Sequence, residues 1–336
     1  MIISELRELL EDEKSRVIFD ARINYKKDKS LSAFYNYLRL NGERYSFREI
    51  DAFVRDTGKE NLYIWGNDDY SIYSYRVLAD YGYKVKGLLG NSRGIVAGIE
   101  CFDWHEVANQ LIQCGVILFQ RDKSAAPEYI LSECNPLLLY SHVVGRCGRQ
   151  YFDYLLPQGQ EYFVDAGALD GATTGEFVKW CEGNYGAVYA FEVNPLMVEE
   201  CERNLRSIVA DNKLFYAECA LWDRQEDVLL DNSVSKWSAH IDSNGHNLVK
   251  ADTIDNLIGN ERVTFIKFDI EGSEMKALHG AKNCILKNRP RMAISVYHDA
   301  DDMEAIMTFL VNLGCDYHFA LRHYHSDSIE TILYVF

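Results

Sequence analysis

Phe163-Val164-Asp165-Ala166-Gly167-Ala168-Leu169-Asp170-Gly171-Ala172-Thr173-Thr174 is the stretch from which the fold of this chain is read. A short apolar run, Tyr162 to Val164, ends abruptly at an acid. Gly167 and Gly171 follow, and Glu176 to Cys181 has the composition of a helix. This is the order strand, tight turn, helix. Glycine permits backbone angles and close approaches that a side chain blocks. A helix start offers free N–H groups to a ligand. Open α/β sheets bind nucleotides in such a crevice, at the carboxyl end of a central strand.

The spacing narrows the ligand. A dinucleotide fingerprint reads G-x-G-x-x-G, whereas this turn reads D-x-G-x-x-x-G. A second acid, Glu192, stands 21 residues past Gly171, after the strand-like Ala187-Val188-Tyr189-Ala190-Phe191. An acid at that distance suits ribose hydroxyls in nucleotide-binding α/β folds.

The chain has 336 residues, enough for two domains, and 48% are hydrophobic, enough for real cores. Its formal net charge of −16 argues against a surface for nucleic acid or an anionic membrane. Nine scattered cysteines without a C-x-x-C pair fit a reducing, cytoplasmic compartment. The charged N-terminus is no signal peptide, and no apolar run reaches membrane-spanning length.

Working outward along the chain, residues 1–60 read as helices that pack on the next unit. Residues 61–135 alternate as a small Rossmann-like α/β domain: Leu62–Trp65, Lys84–Leu89 and Val116–Phe119 as strands, Ile72–Tyr81 and Glu106–Gln113 as helices. Its single Gly66 and the neutral Asn91 predict a docking or scaffold unit rather than a dinucleotide site. The boundary is expected near Asn135, and Arg149–Leu156 reads as a helix leading into residues 136–336. There the strands are 162–165, 187–192, 214–219, 263–268, 292–297, 317–321 and 331–336. The last two lie about ten residues apart with no helix between them, so one runs antiparallel to the rest. Residues 224–250 read as a hairpin or flap. His323 and His325 read as surface residues of the last hairpin.

Phe163-Val164-Asp165-Ala166-Gly167, Phe191-Glu192, Lys267-Phe268-Asp269-Ile270-Glu271-Gly272-Ser273-Glu274, Tyr297-His298 and Leu321-Arg322-His323-Tyr324 occur in an order that resembles the FkbM family of S-adenosylmethionine-dependent methyltransferases. The resemblance covers about residues 145–336. It implies a class I methyltransferase sheet of seven strands, Rossmann-like with the last strand antiparallel, preceded by the smaller α/β domain. It implies S-adenosylmethionine on the Gly167–Gly171 turn with its ribose on Glu192. It also implies methyl transfer to a hydroxyl oxygen, often of a sugar or polyketide; a sugar or glycan precursor is the acceptor expected here. The cofactor-binding positions are then Asp165, Ala166, Gly167, Asp170, Gly171, Thr173, Thr174, Glu192, Val193, Ala220 and Asp269. Ala172 departs from the family, whose members often carry an acid there.

A sulfonium donor is matched by acids, and Asp165 and Asp170 are the candidates for its amino-acid end. An alcohol acceptor is a poor nucleophile, so a base or a metal should help remove its proton. Asp269, Glu271 and His298 are the catalytic candidates, with His298 as the base and Asp269 orienting it. Glu274 is read most simply as a helix-start carboxylate. A divalent ion, Mg²⁺ or Mn²⁺, on the catalytic three is the alternative, and no residue is assigned to a metal. Two other readings stay open: an NAD(P)-linked sugar oxidoreductase, against which the missing glycine fingerprint counts, and a non-catalytic binding module. The acceptor is expected to be a small molecule, without nucleic acid or membrane, and a homo-oligomer is compatible with the sequence.

Overall fold

The computed structural model describes residues 1–42, 44–140, 142–233 and 239–336. The chain divides into two compact units. One comprises Asp20–Cys147 with Tyr324–Ser328, the other Met1–Phe19, Gly148–His323 and Ile329–Phe336. This differs from the expected boundaries at 60 and 135. Residues 1–19 belong with the C-terminal unit, where Leu10 bridges to Phe319 and Arg322 pairs with Asp12 at 2.7 Å. At the other boundary the first sheet continues through 137–139.

The first unit holds strands β1 (Asn61–Trp65), β2 (Lys84–Gly90), β3 (Gly94–Val96), β4 (Ile99–Asp103), β5 (Gly115–Phe119) and β6 (Leu137–Leu139), in the order β3-β4-β2-β1-β5-β6. Only β3, paired to β4, runs antiparallel. Alternate residues of β1 enter opposite cores: Leu62 and Ile64 pack with Tyr73 and Val77, Tyr63 and Trp65 with Val116 and Leu118. A strand covered on both faces is apolar throughout, which is why β1 and β5 show no alternation in sequence. The helix Asp69–Asp80 starts where Asp68 accepts the Ser71 amide.

The C-terminal unit opens with β7 (Glu161–Ala166), β8 (Tyr185–Glu192) and β9 (Leu214–Glu218). Residues 220–252 then supply β10 (Ala220–Leu221), β11 (Glu226–Asp231), β12 (His240–Ile241) and β13 (Asn247–Asp252), a four-stranded sheet where a hairpin or flap was expected. The main sheet is completed by β14 (Phe265–Phe268), β15 (Arg291–Ser295), β16 (Phe319–His323) and β17 (Thr331–Val335), in the order β16-β17-β15-β14-β7-β8-β9. β17 is antiparallel to both neighbours, and the other pairings within β15-β14-β7-β8-β9 are parallel. This is a seven-stranded sheet with one antiparallel strand, as the spacing of the last two strands led one to expect.

The helix Ala172–Trp180 is fixed to this sheet by aromatic packing. Phe177 stacks on Phe163 with centroids 4.2 Å apart, and Trp180 stacks on Phe265 at 5.3 Å. Each such buried ring contributes by removing its area from water, with about 0.5–1.5 kcal/mol more from the pair geometry. Residues 149–156 are turns rather than the expected helix, with Tyr151 in the left-handed region at φ +69.

Candidate active site

Four strand ends build the site. In register, Asp165 of β7 faces Lys267 of β14 and Ala190 of β8. Beyond them the chain turns. Gly167 has φ +82, and a Cβ there would lie 2.0 Å from the Asp269 carbonyl oxygen. Only glycine therefore lets the turn after β7 pass this close to the end of β14. The Gly167 and Ala168 amides donate to the Phe191 carbonyl at 3.1 and 2.9 Å, tying the turn to β8. Leu169 has φ +50, and Gly171, at φ +81, caps the helix that follows.

Glu192, at the end of β8, holds this turn. Its Oε2 accepts the Leu169 amide at 2.7 Å, and its Oε1 accepts the Val193 and Asn194 amides at 2.9 and 2.7 Å. Burial pushes its carboxyl up, and the three amides oppose that shift. The Cys219 amide donates to the Glu192 carbonyl at 3.2 Å, which sets Ala220 one residue beyond it. The small sheet reaches the same place: Asn232 donates to the Asn194 side chain at 3.1 Å.

Beneath the turn lies a buried charge pair. Lys267 is 2% exposed and Asp165 fully buried, with Nζ and Oδ1 3.3 Å apart. Lys267 also donates to the carbonyls of Ala166 and Gly167, at 3.1 and 2.6 Å. Burial alone would lower the Lys267 pKa, but the carboxylates of Asp165 and Asp269 outweigh it and raise it. Burial pushes the Asp165 carboxyl up, against the pull of Lys267 and of Thr174, which donates to it at 2.7 Å. Asp165 therefore anchors the turn from below and presents no surface to a ligand, contrary to the expectation that it meets an amino-acid end. Asp170 is partly exposed and accepts the Ala172 amide at 2.9 Å; Thr173 is also partly exposed.

The ends of β14 and β15 bring Asp269, Glu271 and His298 together. His298 Nε2 is 3.6 Å from Asp269 and 3.8 Å from Glu271. Its Nδ1 lies 3.0 Å from Glu274, so Glu274, and not Asp269, orients the ring. Glu274 is fully buried and also accepts the amides of Ile270 and Gly272, at 2.9 and 3.0 Å. That clamp holds Glu271 in the left-handed region at φ +54. Asp269 accepts from Tyr151 at 2.7 Å, Ser295 at 2.8 Å and Tyr297 at 3.3 Å.

The electrostatics follow from this crowding of acids. Burial would lower the His298 pKa, but Glu274, Asp269 and Glu271 overcome it and push it up to about 10. Such an imidazole carries both protons at neutral pH and has no lone pair for another. His298 in this state is not the neutral base expected from the sequence. Burial lifts Glu271 to about 7, with His298 opposing and Asp269 adding to the rise. Burial would raise Asp269 as well, yet Lys267 and His298 bring it below the ordinary carboxylate range.

The turn residues and the catalytic candidates thus meet at one end of the sheet. Sequence reasoning missed Lys267 as a partner of Asp165, the clamp role of Glu274, and the donors Tyr151 and Ser295. The pairing of Lys267 with Asp165 follows from parallel register, which the motif K-F-D alone does not reveal. His323 and His325, expected at the surface, are 1% and 4% exposed. All nine cysteines are free thiols, and no described helix is long and apolar enough to cross a membrane.

The crystal structure of a methyltransferase FkbM from Methylobacillus flagellatus KT matches 96% of this chain and 99% of its own, with 16% identity and a TM-score of 0.53, a likeness of fold. Fibrillarin of Aeropyrum pernix, with natively bound S-adenosyl-L-methionine, covers 53% of this chain and 67% of its own at 10% identity and a TM-score of 0.36. Precorrin-6y C5,15-methyltransferase from Geobacter metallireducens GS-15 covers 53% and 80% at 17% identity and a TM-score of 0.33. No curated protein sequence matches the chain. Residues 165–319 match the family model described as methyltransferase FkbM domain.

Proposed function

We propose that the chain is an S-adenosylmethionine-dependent O-methyltransferase acting on a hydroxyl of a small molecule, with a sugar or glycan precursor as the acceptor class. The observation that carries this reading is the charge of the crevice. Asp170, Glu192, Asp269 and Glu271 surround the Gly167–Gly171 turn, while Lys267 is buried beneath it. This donor set fits a ligand bearing a sulfonium and an ammonium group. It opposes the pyrophosphate of a dinucleotide, which counts against the NAD(P)-linked oxidoreductase.

When bound, S-adenosylmethionine supplies an electrophilic methyl group. The chain's part is to bind and orient. Each Glu192 oxygen keeps acceptor capacity beyond its backbone bonds, enough to receive ribose hydroxyls. Asp170 is the accessible acid for the amino-acid end, and Lys267 with Asp165 holds the turn rigid. Asp269 and Glu271 accept hydrogen bonds from an acceptor hydroxyl and fix its approach; in-line displacement gains most of its acceleration from such positioning. Polyhydroxylated acceptors suit a crevice of carboxylates and the tyrosine Tyr297. The expected homo-oligomer and a substrate-docking role for residues 61–135 belong to the same proposal.

Titration with S-adenosylhomocysteine tests the cofactor site. Glu192→Gln removes the charge and turns one of the two oxygens that accept backbone amides into an N–H donor, and should weaken binding by at least about 1.5–3 kcal/mol, the range for charged hydrogen bonds. Unchanged affinity in Glu192→Gln, or tight NAD binding by the wild type, refutes the assignment.

A further inference from the structure

We propose that Asp269, Glu271 and the Nε2 of His298 form a binding site for a divalent cation of the Mg²⁺ or Mn²⁺ kind, with Glu274 as the outer carboxylate that fixes the imidazole. The inference rests on the methyl-transfer reading only for the role of the cation, not for its binding.

The observation that points to a ligand is Nε2 itself. The His298 side chain is 10% exposed, and Nε2 is buried without a hydrogen-bond partner while aimed at two carboxylates. A buried polar atom left so is costly, and in native structures it usually awaits a water or an ion. One ligand atom from each of Asp269, Glu271 and His298 can be chosen so that all lie within 4.8 Å of one another. Around an octahedral ion with bonds of 2.0–2.1 Å, neighbouring ligands sit about 3 Å apart and opposite ones about 4 Å. The group needs to contract by under about 1 Å to close on such an ion.

The surroundings match a built metal centre. Ligating histidines almost always give their other nitrogen to a carboxylate, which sets tautomer and ring orientation. Glu274 does this at 3.0 Å from Nδ1, while its backbone bonds to Ile270 and Gly272 keep it from rotating away. Tyr151, Ser295 and Tyr297 fix the Asp269 carboxylate in turn. Three protein ligands leave open positions, as catalytic rather than structural sites do. Hard oxygens favour Mg²⁺ or Mn²⁺, and a single imidazole is compatible with either. A cation here would place a positive charge among the three carboxylates of Asp269, Glu271 and Glu274. An open position on such a cation would serve to orient and acidify a hydroxyl.

The test uses full-length protein freed of metal by chelator and dialysis, titrated with MnCl₂ and followed by the electron paramagnetic resonance of free Mn²⁺. One Mn²⁺ should bind per chain, with Mg²⁺ competing. Glu271→Gln and His298→Gln, each checked for folding by circular dichroism, should weaken it at least tenfold, and Asp301→Asn should not. Glu274→Gln should lower affinity 10–100-fold. No Mn²⁺ binding by the wild type, or binding that both ligand variants retain, overturns the site. S-adenosylhomocysteine affinity is measured on the same samples without metal. Its retention alongside absent Mn²⁺ binding removes the cation site and leaves the methyl-transfer reading; the converse removes that reading and leaves the cation site.

Discussion

Replacing Lys267 by methionine removes the only basic side chain that touches Asp165 among the described residues and leaves a fully buried carboxylate to Thr174 alone. Methionine keeps the length and apolar stem, so packing changes little. The loss is electrostatic and directional: an ion pair at 3.3 Å and two hydrogen bonds to the carbonyls of Ala166 and Gly167. Removing one partner of a buried pair typically costs 3–5 kcal/mol, because the other charge stays uncompensated. In a domain of 150–250 residues each kcal/mol lowers the Tm by about 2–4 °C, so the shift should be roughly 6–20 °C. Calorimetric unfolding of wild type, Lys267→Met, Asp165→Asn and the double variant closes a cycle. Asp165→Asn should restore part of the lost stability in the Lys267→Met background, since it removes the orphaned charge. A Lys267→Met protein within about 1 kcal/mol of wild type, or strict additivity in the double variant, would refute the argument that this pair fixes the turn.

Gly167→Ala should cost more than about 3 kcal/mol in urea denaturation, since its Cβ would meet the Asp269 carbonyl at 2.0 Å, whereas Gly159→Ala, at φ +98 in open space, should cost only about 1–2 kcal/mol. Equal losses at the two positions would remove the close-approach argument. His325 bears on pH: burial pulls it down to about 4, with Asp327 opposing and Arg146 and His142 adding to the fall. Its unfolded form takes a proton near pH 6.5 while the folded form stays neutral, so this contribution is flat above pH 6.5. Below that the unit loses stability, by about 3 kcal/mol at pH 4. Urea titrations at pH 7 and pH 4.5 should show the decline and a smaller one in His325→Gln; an identical loss of stability in the two proteins would contradict it.

β7, β8, β9 and β14 were legible because they are short runs closed by an acid or a glycine. Ala166-Gly167 and Phe268-Asp269 each mark where a buried strand ends and a crevice begins. The β3–β4 hairpin escaped notice because β3 is three residues long and largely exposed, too short to show an alternation. Residues 224–250 read as a hairpin or flap because β11 and β13 are mostly half-buried or exposed and mix polar with apolar residues. Turn geometry hid the role of residues 149–156: Tyr151 reaches Asp269 from a left-handed backbone position that helical spacing does not foresee. In the site, identities were readable and partners were not. Glu274 looked like a helix-start carboxylate, and it does begin the helix Glu274–Gly280, yet its oxygens also hold His298 and the preceding loop. The bond to His298 joins residues 24 apart in sequence and exists only once β14 and β15 are side by side.

The most direct measurement is a crystal structure of the chain grown with S-adenosylhomocysteine. The expected density lies on the Gly167–Gly171 turn, with the ribose hydroxyls on Glu192 and the sulfur facing the group of Asp269, Glu271 and His298. Well-ordered crystals at saturating ligand with that crevice empty, or with the ligand bound away from Glu192, would contradict the assignment of this chain as a methyltransferase that uses S-adenosylmethionine.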